Sequence, residues 1–259
     1  MILLKQFKLF DSHFHIIDNR FPLIANNTYM PDEFKVEDYL RRIKNYRLCG
    51  GAIVSGSFQA FDQGYLLNAL QQLGPAFVGV TQLPAKVTDD EIIHLHSSGV
   101  RAVRFNLKRG GSETIRHLSS MAHRIYELAG WHVELYIDSS ELPDLYQTLI
   151  QLPAVSIDHL GLSRSGLGCL TQLLEKGLRV KATGFGRVDF DIRPVLQQLY
   201  SANPAALMFG TDLPSTRAAR SYCDDDFLLV LEALGVDGAI DVLSRNAINF
   251  YKPMKPGEL

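Results

Sequence analysis

The chain has 259 residues, of which 46% are hydrophobic and 21% charged, with a formal net charge of -2. This length and apolar content suit one large core, and a balanced charge without long basic runs excludes nucleic acid or an anionic membrane as the main partner, which leaves a small molecule as the expected ligand. Cys49, Cys169 and Cys223 are an odd set without C-x-x-C spacing, so a disulfide framework and a thiolate zinc site are both disfavoured and a reducing, cytoplasmic compartment is expected.

In chain order, the opening Met1-Ile2-Leu3-Leu4-Lys5-Gln6-Phe7-Lys8 is too short and too interrupted by lysine to read as a signal peptide or a membrane span. Short β-branched runs then predict strands over 7–14, 51–56, 76–81, 99–106, 131–137, 154–159, 178–184 and 206–211. Helical patterns such as 63–73, 113–129, 141–151, 166–176 and 226–235 fall between most of them. No Pro/Gly/Ser-rich linker divides the chain, so the expected architecture is a single (β/α)8 TIM barrel over residues 1–259. A doubly wound open sheet is the alternative. The first strand-helix turn lacks G-x-G-x-x-G and the chain lacks G-x-x-x-x-G-K-[ST], which makes nucleotide chemistry a poor fit.

The first strand ends in Asp11-Ser12-His13-Phe14-His15, and strict alternation puts Asp11, His13 and His15 on one face. Two imidazoles so placed either grip a divalent metal or stand as donors and proton carriers around a reacting carbonyl. In a barrel the carboxyl ends of the strands converge on one mouth, and here those ends are polar. His13 and His15 end the first strand, Ser55 the second, Arg104 and Asn106 the fourth, Tyr136 and Asp138 the fifth and His159 the sixth. Arg187 follows the seventh and Asp212 closes the eighth. Each has an ordinary explanation alone, such as an N-cap for Asp212, but together they read as a catalytic mouth. Alternation along 99–106 places Arg104 near the mouth and Arg101 toward the other end. Arg109 sits on a loop beside Gly110-Gly111, and Arg187 follows Gly184-Phe185-Gly186. Planar guanidinium groups can grip carboxylates through paired hydrogen bonds, while Lys108-Arg109 is also the sort of pair found on any solvated surface.

Asp11-Ser12-His13-Phe14-His15, Phe21-Pro22 with Tyr29-Met30-Pro31, Gly99 to Asn106, Ile157-Asp158-His159-Leu160-Gly161 and Phe209-Gly210-Thr211-Asp212-Leu213-Pro214 together resemble the amidohydrolase superfamily. The likeness is strongest to its lactonase branch, the one that includes 2-pyrone-4,6-dicarboxylate lactonase. It implies a (β/α)8 barrel, hydrolysis of a carbonyl substrate, and His13, His15, His159 and Asp212 at the positions of the superfamily's metal ligands and catalytic aspartate. The family usually counts its third histidine on the fifth strand, whereas the strands above put His159 on the sixth. No histidine follows His159, and Tyr136 stands where a bridging lysine is expected, so a two-metal centre is disfavoured.

The resemblance therefore implies an acidic-lactone hydrolase. Asp212 serves as general base, and His13, His15 and His159 act on the oxyanion and leaving oxygen. Arg104, Arg109 and Arg187 hold carboxylates, while Ser55 and Tyr136 supply neutral hydrogen bonds. No cofactor is required in this expectation. The alternative is one zinc on His13, His15, His159 and Asp212, in a zinc-dependent amide hydrolase or decarboxylase. A non-catalytic carboxylate-binding protein is a further alternative, and a homo-oligomer is compatible with either. The turn Leu213-Pro214-Ser215-Thr216 departs from the aromatic residue and histidine common in the branch, which leaves the substrate itself open.

Overall fold

A computed structural model describes residues 2–254; Met1 and residues 255–259 of the expected single domain lie outside the described residues. In chain order the elements are α1 (Ile2–Gln6), β1 (Lys8–Phe14), α2 (Val36–Ile43), β2 (Arg47–Val54), α3 (Gly64–Leu73), β3 (Phe77–Thr81), α4 (Asp89–Ser97) and β4 (Val100–Asn106). They continue with α5 (Leu118–Ala129), β5 (His132–Tyr136), α6 (Leu142–Leu149), β6 (Val155–Ile157), α7 (Leu167–Glu175), β7 (Arg179–Ala182), α8 (Ile192–Ala202), β8 (Leu207–Phe209), α9 (Asp224–Ile240) and α10 (Asn246–Tyr251). All eight strands lie parallel in one sheet in the order β1 to β8, the (β/α)8 barrel expected. His159 follows the sixth strand, so the strand count made from the sequence holds against the family's usual fifth. β6 and β8 are shorter than expected because the chain leaves the ladder after Ile157 and Phe209.

Between β8 and β1 the ring is completed by contacts beyond the regular ladder. Asp212 N donates to His13 O at 2.7 Å, and His15 N to Leu213 O at 2.7 Å. The Asp11 carboxylate accepts from Thr211 N at 2.8 Å and Thr211 Oγ1 at 2.7 Å, acting as a side-chain clip across the seam. Gly210 permits this approach, since a Cβ there would lie 2.5 Å from His13 N. The seam thus presses the end of β1 directly against the end of β8.

One expectation about β1 is corrected. Asp11 does not share a face with His13: its carboxylate turns to Tyr39 of α2, 3.1 Å away, while His13 points into the barrel. The register of β1 against β2 shifts between Asp11 and Phe14, and such an irregularity resets the two-residue alternation. Phe10 consequently faces the inner cluster with Ala52, Val54, Val80 and Met208, whereas Phe14 stacks on Tyr39 outside at 3.8 Å.

The main core lies between the strands' outer faces and the helices, with Ile53, Val103, Leu135, Ile157 and Val180 fully buried against helical side chains. Tyr251 of α10 closes the end opposite the mouth, stacking on Phe10 and donating to Glu134 Oε1 at 2.5 Å. Among the described residues no helix is long and apolar enough to cross a membrane.

Candidate active site

Three imidazoles converge on one oxygen. Asp212 Oδ1 lies 3.9 Å from His13 Nε2, 3.8 Å from His15 Nε2 and 4.0 Å from His159 Nε2. Both Asp212 Oδ1 and His13 Nε2 are buried without a hydrogen-bond partner among the described residues. The other carboxylate oxygen is taken: Arg187 Nε donates to Asp212 Oδ2 at 2.7 Å, and Arg187 Nη2 to Thr216 O at 2.8 Å. The four expected catalytic residues, drawn from a span of about 200 residues, thus form one cluster at the ends of β1, β6 and β8.

The backbone reaches this geometry by leaving regular structure. His159 and Asp212 adopt left-handed conformations, at φ 52° and 59°, each costing on the order of 1–2 kcal/mol for a residue with a Cβ. Gly184 makes room beside them, since a Cβ there would lie 2.7 Å from His159 Nδ1 and 2.9 Å from Arg187 Cδ. Gly184 therefore makes way for the site's own side chains, whereas Gly186 lies against the Arg220 backbone, where a Cβ would come 2.1 Å from its carbonyl oxygen.

Hydrogen bonds behind each ring orient it. His15 Nδ1 faces the Val54 carbonyl at 2.7 Å, so Nδ1 carries the proton and the Nε2 lone pair looks toward Asp212 Oδ1. Two acceptors facing each other at 3.8 Å suit a water molecule or a cation between them. His159 Nδ1 pairs with Thr183 Oγ1 at 2.8 Å, and His13 Nδ1 lies 3.3 Å from Lys181 Nζ and 3.4 Å from Asp158 Oδ1.

Burial pushes all three imidazoles down, His15 to about 3 with help from Arg104, and His13 and His159 well below the ordinary range, so they are neutral near pH 7. Burial raises the Asp212 carboxyl, and the guanidinium groups of Arg187 and Arg104 offset only part of that rise. A carboxylate raised in this way beside neutral imidazoles is equipped to take a proton from water.

The remaining expected residues separate. Tyr136, Arg104, Arg109 and Arg187 line the cavity at the mouth together with His15 and His159. Arg104 is anchored, donating through Nε and Nη2 to Asp158 Oδ2 at 3.0 and 2.7 Å and through Nη1 to Ser55 O at 2.8 Å. Ser55 is not brought to the cavity: its hydroxyl bonds Tyr65 OH at 2.6 Å, because β2 ends at Val54 and the next side chain turns toward α3. Gly56, Ser57 and Phe58 form that part of the wall.

Below the cluster lies a layer that sequence reasoning missed. Lys181 Nζ pairs with Glu134 and sits 3.5 Å from Asp158 Oδ1, all three side chains fully buried. His132 Nε2 meets Glu134 Oε1 at 3.1 Å. Burial raises the Asp158 carboxyl, but Lys181, Arg104 and His13 outweigh it and leave Asp158 well below its usual range. The signal was present in His132-Val133-Glu134-Leu135-Tyr136, whose polar alternation contrasts with the continuous apolar run usual in a parallel strand buried on both faces.

Among the described residues two groups of side chains have metal-ligand spacing. In the first, ligand atoms of His13, His159 and Asp212 lie within 4.8 Å of one another, with His15 close to the same carboxylate oxygen. Their unpartnered Nε2 and Oδ1 atoms fit one divalent cation. The second, His13, Glu134 and Asp158, does not fit, because the Lys181 ammonium already occupies the space among them as their cation.

The chain matches the amidohydrolase family over residues 10–252. It is 28% identical over 258 residues to the 2-pyrone-4,6-dicarboxylate hydrolase of Comamonas testosteroni, covering 87% of this chain and 84% of that one. It is 25% identical over 228 residues to the 4-sulfomuconolactone hydrolase of Rhizobium radiobacter, covering 79% and 75%. A solved Pseudomonas putida protein, provisionally assigned as a 2-pyrone-4,6-dicarboxylic acid hydrolase, superposes with a TM-score of 0.79 at 27% identity over 94% of this chain and 97% of that one. With the barrel, the paired histidines at β1, His159 at β6 and Asp212 at β8 in place, the chain belongs to the amidohydrolase family.

Proposed function

We propose that this protein hydrolyses small lactones bearing an acidic substituent. The reading rests on the unpaired Asp212 Oδ1 facing three imidazole Nε2 atoms beneath a mouth lined by arginines, and it draws support from the acidic lactones named in the two related hydrolases.

Water bridges Asp212 Oδ1 and His15 Nε2. Asp212 takes one proton as the oxygen attacks the lactone carbonyl. The developing oxyanion faces Nε2–H of His13 or His159, each a donor when its Nδ1 accepts from Lys181 or from the Thr183 hydroxyl. Collapse breaks the ring C–O bond, and the proton held by Asp212 passes to the leaving oxygen, giving one new carboxylic acid and one hydroxyl. Arg104 and Arg187 each retain N–H groups beyond those bound to Asp158, Ser55, Asp212 and Thr216, and these orient a carboxylate next to the carbonyl. Tyr136, whose ring lies 5.1 Å from Arg104 Cζ, bounds the substrate's other side.

We place this chemistry on the protein's own acids, bases and donors. The convergence of His13, His159 and Asp212 supports a second reading, in which these residues with His15 hold one divalent cation that polarises the carbonyl and lowers the pKa of water. The deciding experiment assays 2-pyrone-4,6-dicarboxylate and 4-sulfomuconolactone with the purified protein before and after exhaustive chelation. Activity that survives chelation supports the metal-free reading. Loss restored by stoichiometric zinc assigns the second, and turnover of neither lactone by the untreated or zinc-loaded protein refutes the proposed substrate class.

A further inference from the structure

The end of the barrel opposite the mouth holds a cavity of about 240 Å³, bounded by His132 and Arg179, the first residues of β5 and β7, and by α10 with Lys252 just beyond it. Its lining includes no aspartate or glutamate. Arg179 is half-buried, and burial pushes it below its ordinary range with no opposite charge to offset the fall. Its Nη1 donates to the Gly177 carbonyl at 3.2 Å, which leaves four of its five N–H groups. Lys252 is exposed, left-handed at φ 49°, and without a carboxylate partner among the described residues.

A buried imidazole lines the same cavity. His132 is 3% exposed, and its orientation is set from within the barrel, where Nε2 meets Glu134 Oε1 at 3.1 Å. Burial raises the Glu134 carboxyl, but Lys181 and His132 outweigh it and leave Glu134 below its usual range, an ionised group that only accepts. Nε2 of His132 therefore carries the proton. Burial also holds His132 below the ordinary imidazole range, so the ring is neutral near pH 7 and its Nδ1 presents a lone pair. Nδ1 has no hydrogen-bond partner among the described residues. One cavity thus combines cationic donors, an imidazole acceptor and the aromatic ring of Phe250, whose centre lies 5.8 Å from Arg179 Cζ.

We propose that this basal cavity is a binding site, separate from the reaction centre, for a small carboxylate that also carries a hydroxyl group. The carboxylate pairs with Arg179 and Lys252, the hydroxyl donates to His132 Nδ1, and the apolar part of the ligand lies against Phe250. At roughly 30 Å³ for each water-sized group, the cavity has room for a molecule of one ring.

Calorimetry on the full chain tests this with 3-hydroxybenzoate, 4-hydroxybenzoate and benzoate, using the wild type, R179M, K252M and R187M, the last to remove an arginine from the mouth. A hydroxybenzoate should bind the wild type and still bind R187M. Its affinity should fall roughly ten- to a hundredfold in R179M, as for loss of a charge-assisted hydrogen bond. The better hydroxy isomer should exceed benzoate by about three- to tenfold, the worth of one neutral hydrogen bond. Lys252 is exposed, so K252M carries the same comparison, with a smaller loss, if R179M fails to fold. Affinity unchanged in R179M and K252M, or binding lost in R187M while these two retain it, places the ligand elsewhere and overturns the site. Equal affinity for benzoate and both hydroxy isomers overturns the part given to His132.

Discussion

The barrel interior holds two polar layers, and they differ in whether each charged atom faces an opposite charge. In the deep layer Glu134, Lys181, Asp158 and Arg104 each face an opposite charge, every side chain at most 3% exposed, and even Asp158 Oδ1, which makes no hydrogen bond, lies 3.5 Å from the Lys181 ammonium. In the upper layer Asp212 Oδ1 and His13 Nε2 have no partner, and Arg109 and Arg217 have no counterion among the described residues. Buried ions satisfied by one another hold position, while buried polar atoms left unsatisfied carry a cost that persists where substrate, water or a cation relieves it. The teaching is that an arginine or aspartate at a barrel mouth cannot be assigned to substrate by its position alone. Arg104 and Arg187 both line the cavity, yet each spends part of its guanidinium on a protein carboxylate.

The sharpest break of this comparison is Asp212→Asn. It removes the base from the upper layer while keeping the side chain's size and its acceptor for Arg187. Turnover should fall by roughly two to four powers of ten with the fold retained, as read by steady-state kinetics beside circular dichroism. The pH profile carries the same point. Because Asp212 works ionised and burial raises its pKa, kcat/KM should climb with pH through a midpoint above about 3.9, the ordinary aspartate value, and then level off. Wild-type kcat/KM without that acid limb, or near-normal turnover by the variant, would place the base elsewhere, His159 being next in line.

Lys181→Met breaks the lower layer instead. Glu134 and Asp158 would lose their shared cation inside the barrel, and removing one member of a buried pair costs about 3–5 kcal/mol, measurable as a lower denaturant midpoint. A stability loss below about 1 kcal/mol would mean that the deep layer is less closed than its distances indicate.

Thr183→Val joins the layers at their boundary and has the smallest expected effect. It removes the hydroxyl behind His159 Nδ1 without changing side-chain shape, so the ring loses one orienting bond worth about 0.5–1.5 kcal/mol. Turnover should drop roughly three- to tenfold with little change in KM. An unaltered kcat would remove Thr183, and with it the tautomer argument, from the proposed mechanism.

Much of this was legible in the chain itself. Strand and helix periodicities, read with the polar residues at the strand ends, were enough for an eight-stranded barrel, and residue identities at those ends named His13, His15, His159 and Asp212 before any coordinates. Periodicity works there because a parallel strand flanked by helices must bury its outer face, which imposes a pattern that local sequence has to obey. Asp11 escaped it, since an irregularity in β1 reset the alternation and sent its carboxylate to Tyr39 and Thr211. Ser55 escaped it because the strand ended one residue sooner than its side chain needed to reach the mouth.

Partnership was beyond the sequence altogether. Nothing in the chain order says that Arg104 meets Asp158 or that Lys181 sits between Glu134 and His13, because those residues come from five different strands or strand ends and meet only when the ring closes. Nor does it say that Asn26 holds Arg217 while bonding the Arg109 carbonyl, a joint across three separate loops. Residue type and spacing determined which chemical groups reach the mouth. Closure of the barrel decided which of those groups are satisfied by the protein and which are left to act on something else, because burial and pairing depend on distances that chain order does not contain.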